Sequence, residues 1–194
     1  MQIKDYPLKG SPVGADLLLL QDSANNSYES ASITSVLSLV PTGTNLKYIQ
    51  LLDSRSSGTA GGSHTANSWL PRTINTIATD QTAQVTLSSN TFVLPAGTYW
   101  LDCKAAFYLA NAHRLRLQNT TDNTTILLGM SAWNFVSASD FINCLSGCFT
   151  IAASKSLQIQ YRVTGTNIQS PNLGDPTSFG VNEIYLTADL FKLS

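Results

Sequence analysis

TFVLPAGTYWLDCKAAFYLANAHRLRLQNTTDNTTILLG, residues 91 to 129, decides the fold. In Tyr99, Leu101, Cys103, Ala105 and Phe107 every second residue is apolar, while Trp100, Asp102, Lys104 and Ala106 fall on the opposite face. That is the period-two signature of a half-buried strand. Pro95-Ala-Gly97 before it reads as a bend, since Pro fixes φ and Gly tolerates the backbone that closes a turn. Leu115 and Leu117 then alternate with Arg114 and Arg116, and a polar loop from Asn119 to Thr125 precedes the apolar Ile126, Leu127 and Leu128. The stretch is three consecutive strands joined by two kinds of turn, and nothing in it looks catalytic.

Outward from there, strand patterns recur near 47 to 53, 69 to 78, 84 to 87, 91 to 94, 98 to 109, 113 to 118, 125 to 132, 143 to 151, 156 to 163 and 180 to 191. Turn signals separate them at the spacing of an all-β sandwich. Ser54 to Ser68 is the long early loop and Asn167 to Ser178 the late one. No long amphipathic helix and no repeat of fixed period is present. The expected fold is all-β, an antiparallel jelly-roll sandwich of about 150 residues, over residues 46 to 194. Residues 1 to 45 form a separate arm and linker. The arm holds a Pro/Gly-punctuated extended stretch, the run Leu17 to Leu20, a polar turn around Asn25 and Asn26, and a weakly helical tail. It is too small to bury a core of its own and has to pack on the main domain or on a partner.

Composition narrows the class. Of 194 residues 43% are apolar and 12% charged, with a formal net charge of -1. The charged share is about half the usual one. A surface rich in Ser, Thr and Asn suits a β-rich particle component or a lectin-like domain. Eleven basic residues against twelve acidic ones give no phosphate-tracking patch, so nucleic acid is not an expected partner. Met1 to Lys9 does not read as a signal peptide, and Leu17 to Leu20 is far short of the roughly 20 residues that span a bilayer. Synthesis in a cytoplasm without membrane insertion is expected.

A search for chemistry finds little. Cys103, Cys144 and Cys148 make an odd count. The latter two stand about 13 Å apart on one strand face, too far for a disulfide or shared zinc, so buried free thiols are expected. His64 reads as a solvated loop imidazole and His113 as a structural hydrogen-bonding group; neither has a nucleophile elbow or metal-ligand spacing around it. Asp80, Asp102, Asp122, Asp140, Asp175, Glu183 and Asp189 are scattered, with Asp122 and Asn123 shaping a hairpin turn. Asn119-Thr-Thr and Asn123-Thr-Thr match a glycosylation pattern, but the residues suit turns and edge strands equally. No catalytic residue, metal ligand or cofactor is assigned. Arg114, Arg116, Lys104 and Arg162 are expected on outer faces or between subunits. Tyr99 and Phe107 on one face of their strand oppose Trp100 and Tyr108 on the other, so one face fills the sandwich and the other asks for a second cover.

DSRSSGTAGGSHTANSWLPRTINT (53 to 76), FVLPAGTYWLDCKAAFY, HRLRLQNTTDNTTILLG and the closing NEIYLTADLFKL (182 to 193), in that order, resemble the tumour-necrosis-factor-like and complement-globular-head-like jelly rolls of tailed-phage virion proteins. The N-terminal IKDYPLKGSPVGADLLLLQDSANNSYESASITSVL is similar to a module that opens many phage fibre and decoration proteins, with Tyr6 where a Leu is common. The resemblance implies a homotrimer on the virion surface. It points to a head decoration or cement protein whose arm binds the major capsid protein or another virion protein. Leu17, Leu18, Leu19, Leu20, Ile33, Val36 and Leu37 are the expected docking anchors, and Trp100, Tyr108, Arg114 and Arg116 the expected trimer contacts. The alternative is a short tail fibre or tip protein that binds a host-surface glycan by stacking sugars on Trp133, Phe135 and Phe141.

Overall fold

A computed structural model describes residues 46–134, 140–164 and 173–194 of the chain, and in its N-terminal part 17–22 and 27–32. The chain divides into two compact units, Met1–Asn45 and Leu46–Ser194. In the first, β1 (Leu17–Asp22) and β2 (Ser27–Ser32) pair as an antiparallel hairpin, Leu17 opposite Ser32 and Asp22 opposite Ser27. The weakly helical tail expected after it lies outside the described residues.

The second unit is two antiparallel sheets. The strands are β3 (Lys47–Arg55), β4 (Leu70–Pro71), β5 (Thr76–Asp80), β6 (Thr86–Ser88), β7 (Thr91–Leu94), β8 (Gly97–Tyr108), β9 (Asn111–Asn119), β10 (Thr124–Leu128), β11 (Ala132–Asn134), β12 (Asp140–Ile151), β13 (Lys155–Val163) and β14 (Glu183–Lys192). One sheet of five runs β12-β8-β14-β3-β5. The other, of seven, runs β10-β9-β13-β7-β6, with β11 paired to β9 and β4 to β13. The alternation read from sequence sorts side chains between faces. Tyr99, Leu101, Cys103 and Phe107 of β8, with Ile49, Leu51, Ala188 and Leu190 beside them, are wholly buried against Phe92, Leu94, Leu115, Leu117, Leu157 and Ile159 of the opposing sheet. Each such Leu, Ile or Phe contributes about 1.5–3 kcal/mol by leaving water.

Turn chemistry closes the strands. Ser89 (φ 48°) and Asn90 (φ 63°) form the two-residue loop between β6 and β7, both in the left-handed region that matches strand twist. Between β9 and β10, Asn119 and Asp122 exchange hydrogen bonds at 2.8 and 3.1 Å while Asn123 takes φ 54°.

Four expectations change. The strand expected over 69 to 78 is two strands in different sheets. The chain crosses between layers at Arg72 to Asn75, where the Arg72 amide donates to Ile159 of β13 and the Asn75 amide to Leu52 of β3. Apolar residues on both sides, Trp69 and Leu70 before and Ile74 and Ile77 after, make the stretch read as one strand. The strand expected over 125 to 132 ends at Leu128 and resumes as β11, both pieces lying along β9. His64 is buried rather than solvated, at 8% exposure, because its loop folds onto the sandwich. Of the three thiols only Cys103 is buried: β12 turns Asn143, Leu145 and Phe149 inward, which leaves Cys144 partly and Cys148 fully exposed on the outer face.

Candidate functional site

Two outer surfaces and one loop cluster carry the unusual features. The first surface is the outer face of the five-stranded sheet. Register places Trp100, Asp102 and Lys104 of β8 between β12 and β14 and Ala106 and Tyr108 further along β12, with Ile142 opposite Ala106 and Phe191 opposite Trp100. Trp100 is 44% exposed, Ile142 53% and Ile184 46%. Between the two isoleucines lies a shallow hollow of about 220 Å³, floored by Ala106 and Leu186 and edged by Lys104 and Thr187. Polar groups on this face are matched locally: Lys104 pairs with Asp102, and Asp189 accepts from the Tyr48 hydroxyl and from Gln50 at 2.9 Å. Burial and that carboxylate push the Tyr48 phenol up to about 12.

The second surface is the outer face of the seven-stranded sheet. Arg114 of β9 stands directly opposite Arg162 of β13. Arg116 is pinned by Gln160 at 2.9 and 2.6 Å and by Thr125 at 3.1 Å, and its guanidinium lies 4.4 Å from the ring centre of Trp69. Trp133, opposite Ala112 in the β11–β9 pair, is 66% exposed.

The expected trimer contacts therefore do not share one surface. Trp100 and Tyr108 face out from one sheet, Arg114 and Arg116 from the other. The expected glycan aromatics also separate: Trp133 belongs to β11, while Phe141 of β12 is 40% exposed with its ring 5.3 Å from His113, and Phe135 lies outside the described residues. Among the docking anchors, Leu17, Leu18, Leu19 and Leu20 form part of β1; Ile33, Val36 and Leu37 lie outside the described residues. Sequence reading missed Trp69, Ile142 and Ile184. It also missed Arg72, which nothing periodic marks in Pro71-Arg-Thr73.

The titratable groups work structurally. His113, 3% exposed, donates from Nδ1 to the Asn111 carbonyl at 2.8 Å and stacks on Phe107 at 4.4 Å; burial holds its pKa below the ordinary histidine value, the Asn111 carbonyl opposing. Asp53, wholly buried, pairs with Arg55 at 2.9 Å, and Asp122 pairs with Lys155 at 2.8 Å. Burial pushes the Asp80 carboxyl up, but hydrogen bonds from Thr82, Val85 and Gln84 outweigh it and hold the group below its usual value. Among the described residues no three of His, Cys, Asp or Glu are grouped to hold a metal ion.

Glu183 ties the two long loops together. Its carboxylate accepts from the amides of Gly58 (3.1 Å), Ser178 (2.8 Å) and Thr177 (3.1 Å) and from the Thr177 hydroxyl at 2.8 Å. The Gly58 amide, then Ser178 and Thr177, pull its pKa from 4.5 to about 2 against the push of burial. A folded value below the unfolded one means the carboxylate stabilises the fold fully above the unfolded pKa and loses that effect as pH falls toward about 2. Glu183→Gln is expected to be less stable than the native chain at neutral pH, with the deficit shrinking as pH drops through that window. Urea midpoints across the pH range check this; a deficit constant with pH would show that the charge does not hold the loops.

No family model matches the chain, and no curated protein matches it. Among solved structures it is similar to the globular domain of zebrafish complement 1qA protein, at 13% identity and a TM-score of 0.51, over 76% of this chain and 97% of that one. It is also similar to murine APRIL, at 8% identity and a TM-score of 0.49, over 77% of this chain and all of that one. At such identity the likeness to the complement 1qA domain is one of architecture: the chain folds as an antiparallel jelly roll.

Proposed function

We propose that this chain is a non-enzymatic structural protein of a tailed-phage particle, a homotrimeric head decoration protein. In this reading the N-terminal unit docks on the capsid and the jelly roll is displayed. The observation that carries self-association is the outer face of the five-stranded sheet. Ile142 and Ile184 stand exposed around a hollow that nothing among the described residues fills, and Trp100 is exposed further along the same face. Exposed apolar groups clustered on one face mark an interaction surface. A second copy is the occupant that fits, because the face offers both apolar knobs and a hollow, with Lys104 paired to Asp102 and Asp189 hydrogen-bonded by Tyr48 and Gln50. Threefold closure and a place on a phage head rest on the sequence resemblance. The non-enzymatic reading is supported by the carboxylates and imidazoles above, which hold turns, loops and core together. The hairpin unit Met1–Asn45 suits attachment, and three joined copies multiply weak single contacts.

Sedimentation is expected to give three times the chain mass of 20.9 kDa. Ile142→Asp combined with Ile184→Asp is expected to give monomers with an unchanged β-sheet circular dichroism spectrum. A native chain that stays monomeric at micromolar concentration overturns the self-association. Immunogold labelling of virions tests the location: label over the head supports decoration, and label confined to the tail replaces it with the fibre reading.

A further inference from the structure

On the other sheet two cations lack a neutralising partner among the described residues. Arg114 and Arg162 are direct cross-strand neighbours, a placement in which like charges repel and cost stability. Among the described residues no carboxylate lies within ion-pair distance of either. Arg114 uses its Nε on the Gly129 carbonyl at 2.6 Å, and exposed Arg162 makes no hydrogen bond among the described residues. Both border a cleft of about 270 Å³ whose wall includes Trp69. Arg116, stacked on Trp69 and fixed by Gln160 and Thr125, holds that indole from behind the cleft-lining pair. Trp133 adds a second, largely exposed indole on the same face.

We infer that this cleft binds the carboxylate-bearing sugar of an acidic glycan. Two adjacent guanidiniums without a protein counter-ion supply the planar, multi-donor recognition that a carboxylate takes best. Indoles beside them offer the flat apolar surface on which the C–H face of a sugar ring rests. The cleft has the volume of one or two sugar rings. A nucleic acid fits poorly, because a chain of net charge -1 with three clustered arginines provides no extended basic track. A peptide fits poorly too, because β9 is hydrogen-bonded on both flanks, by β13 and by β10 and β11, and has no open edge for an added strand. The inference stands on this face alone and is independent of self-association and of any place on a particle.

The test titrates the full chain with trigalacturonate and with sialyllactose, by calorimetry and tryptophan fluorescence, using trigalactose and lactose as uncharged counterparts. Saturable binding of at least one acidic sugar is expected, and which one saturates distinguishes a uronate from a sialic acid. The neutral counterpart is expected to bind at least about tenfold more weakly. Arg162→Gln and Trp133→Ala, both at exposed positions, are each expected to weaken binding about tenfold without lowering the melting temperature, which relief of the Arg114 repulsion raises slightly in Arg162→Gln. Absence of saturation by either acidic sugar overturns the inference. So does equal affinity for the neutral sugar, undiminished binding by Arg162→Gln, or tighter binding of decathymidylate or pentaglutamate.

Discussion

Arg72→Ala is expected to lower the stability of the jelly roll by about 2–5 kcal/mol, the range for truncating a large buried side chain to alanine. The side chain is wholly buried at the point where the chain crosses between sheets. Its Nη2 donates to the carbonyls of Leu173 (3.2 Å) and Tyr185 (3.0 Å), and its guanidinium sits 5.4 Å from the Phe107 ring centre and 6.0 Å from that of Tyr161. Burial pulls its pKa down to about 10, opposed by Asp53, so the group stays charged at neutral pH. Truncation opens a cavity, takes the arginine's donor from two carbonyls and removes one cation from the field of Asp53. Arg72→Met separates these effects, since it refills most of the volume but restores no donor. Its deficit is expected to be smaller than that of Arg72→Ala, and the difference measures the cavity. Urea midpoints of both variants decide it, and a loss below about 1 kcal/mol for alanine would show that the guanidinium does not anchor the crossing.

Gly61→Ala acts on the same corner through the backbone. A Cβ on Gly61 would lie 2.1 Å from the Leu173 carbonyl oxygen and 2.6 Å from its carbon, far inside contact distance, and neither backbone atom can rotate away. The loops meet there by hydrogen bonds, the Gly61 amide to Gly174 at 2.9 Å and the Leu173 amide to Gly62 at 3.1 Å. Gly174, at φ +125°, is equally constrained, with Tyr185 2.1 Å from where its Cβ would stand. The alanine therefore has to part the two loops, at about 3 kcal/mol, or a fall of about 6–12 °C in Tm for a domain of this size. An unchanged melting temperature would mean that the loops do not close on each other.

How much of this was legible in sequence depended on whether a feature is local. β7 spans Thr91–Leu94 as read, and β8, β9 and β13 fall within one or two residues of their expected bounds, because alternation and turn residues are properties of neighbours in the chain. The crossing at Arg72 is not legible, since apolar residues flank it on both sides while the hydrogen-bonding partner changes from β13 at Arg72 to β3 at Asn75. Burial of His64 was hidden for a related reason: a Gly/Ser-rich loop reads as solvated whether or not it folds back. Sequence placed Arg114, Arg116 and Arg162 on outer faces but gave no register, and register alone makes Arg114 and Arg162 neighbours. Alternation likewise tells inner from outer without telling which sheet, so it does not show that Trp100 and Arg116 face out from different sheets.

The three thiols have a consequence for kinetics. In the single chain Cys148 is exposed on the outer face, whereas Cys103 is sealed in the core of the sandwich, where burial also pushes its pKa far up. In the chain kept monomeric by Ile142→Asp and Ile184→Asp, a thiol-specific reagent thus modifies Cys148 on mixing and reaches Cys103 only when the sandwich opens. The slow phase of modification is a native clock for opening of the jelly roll, readable by mass without any engineered label.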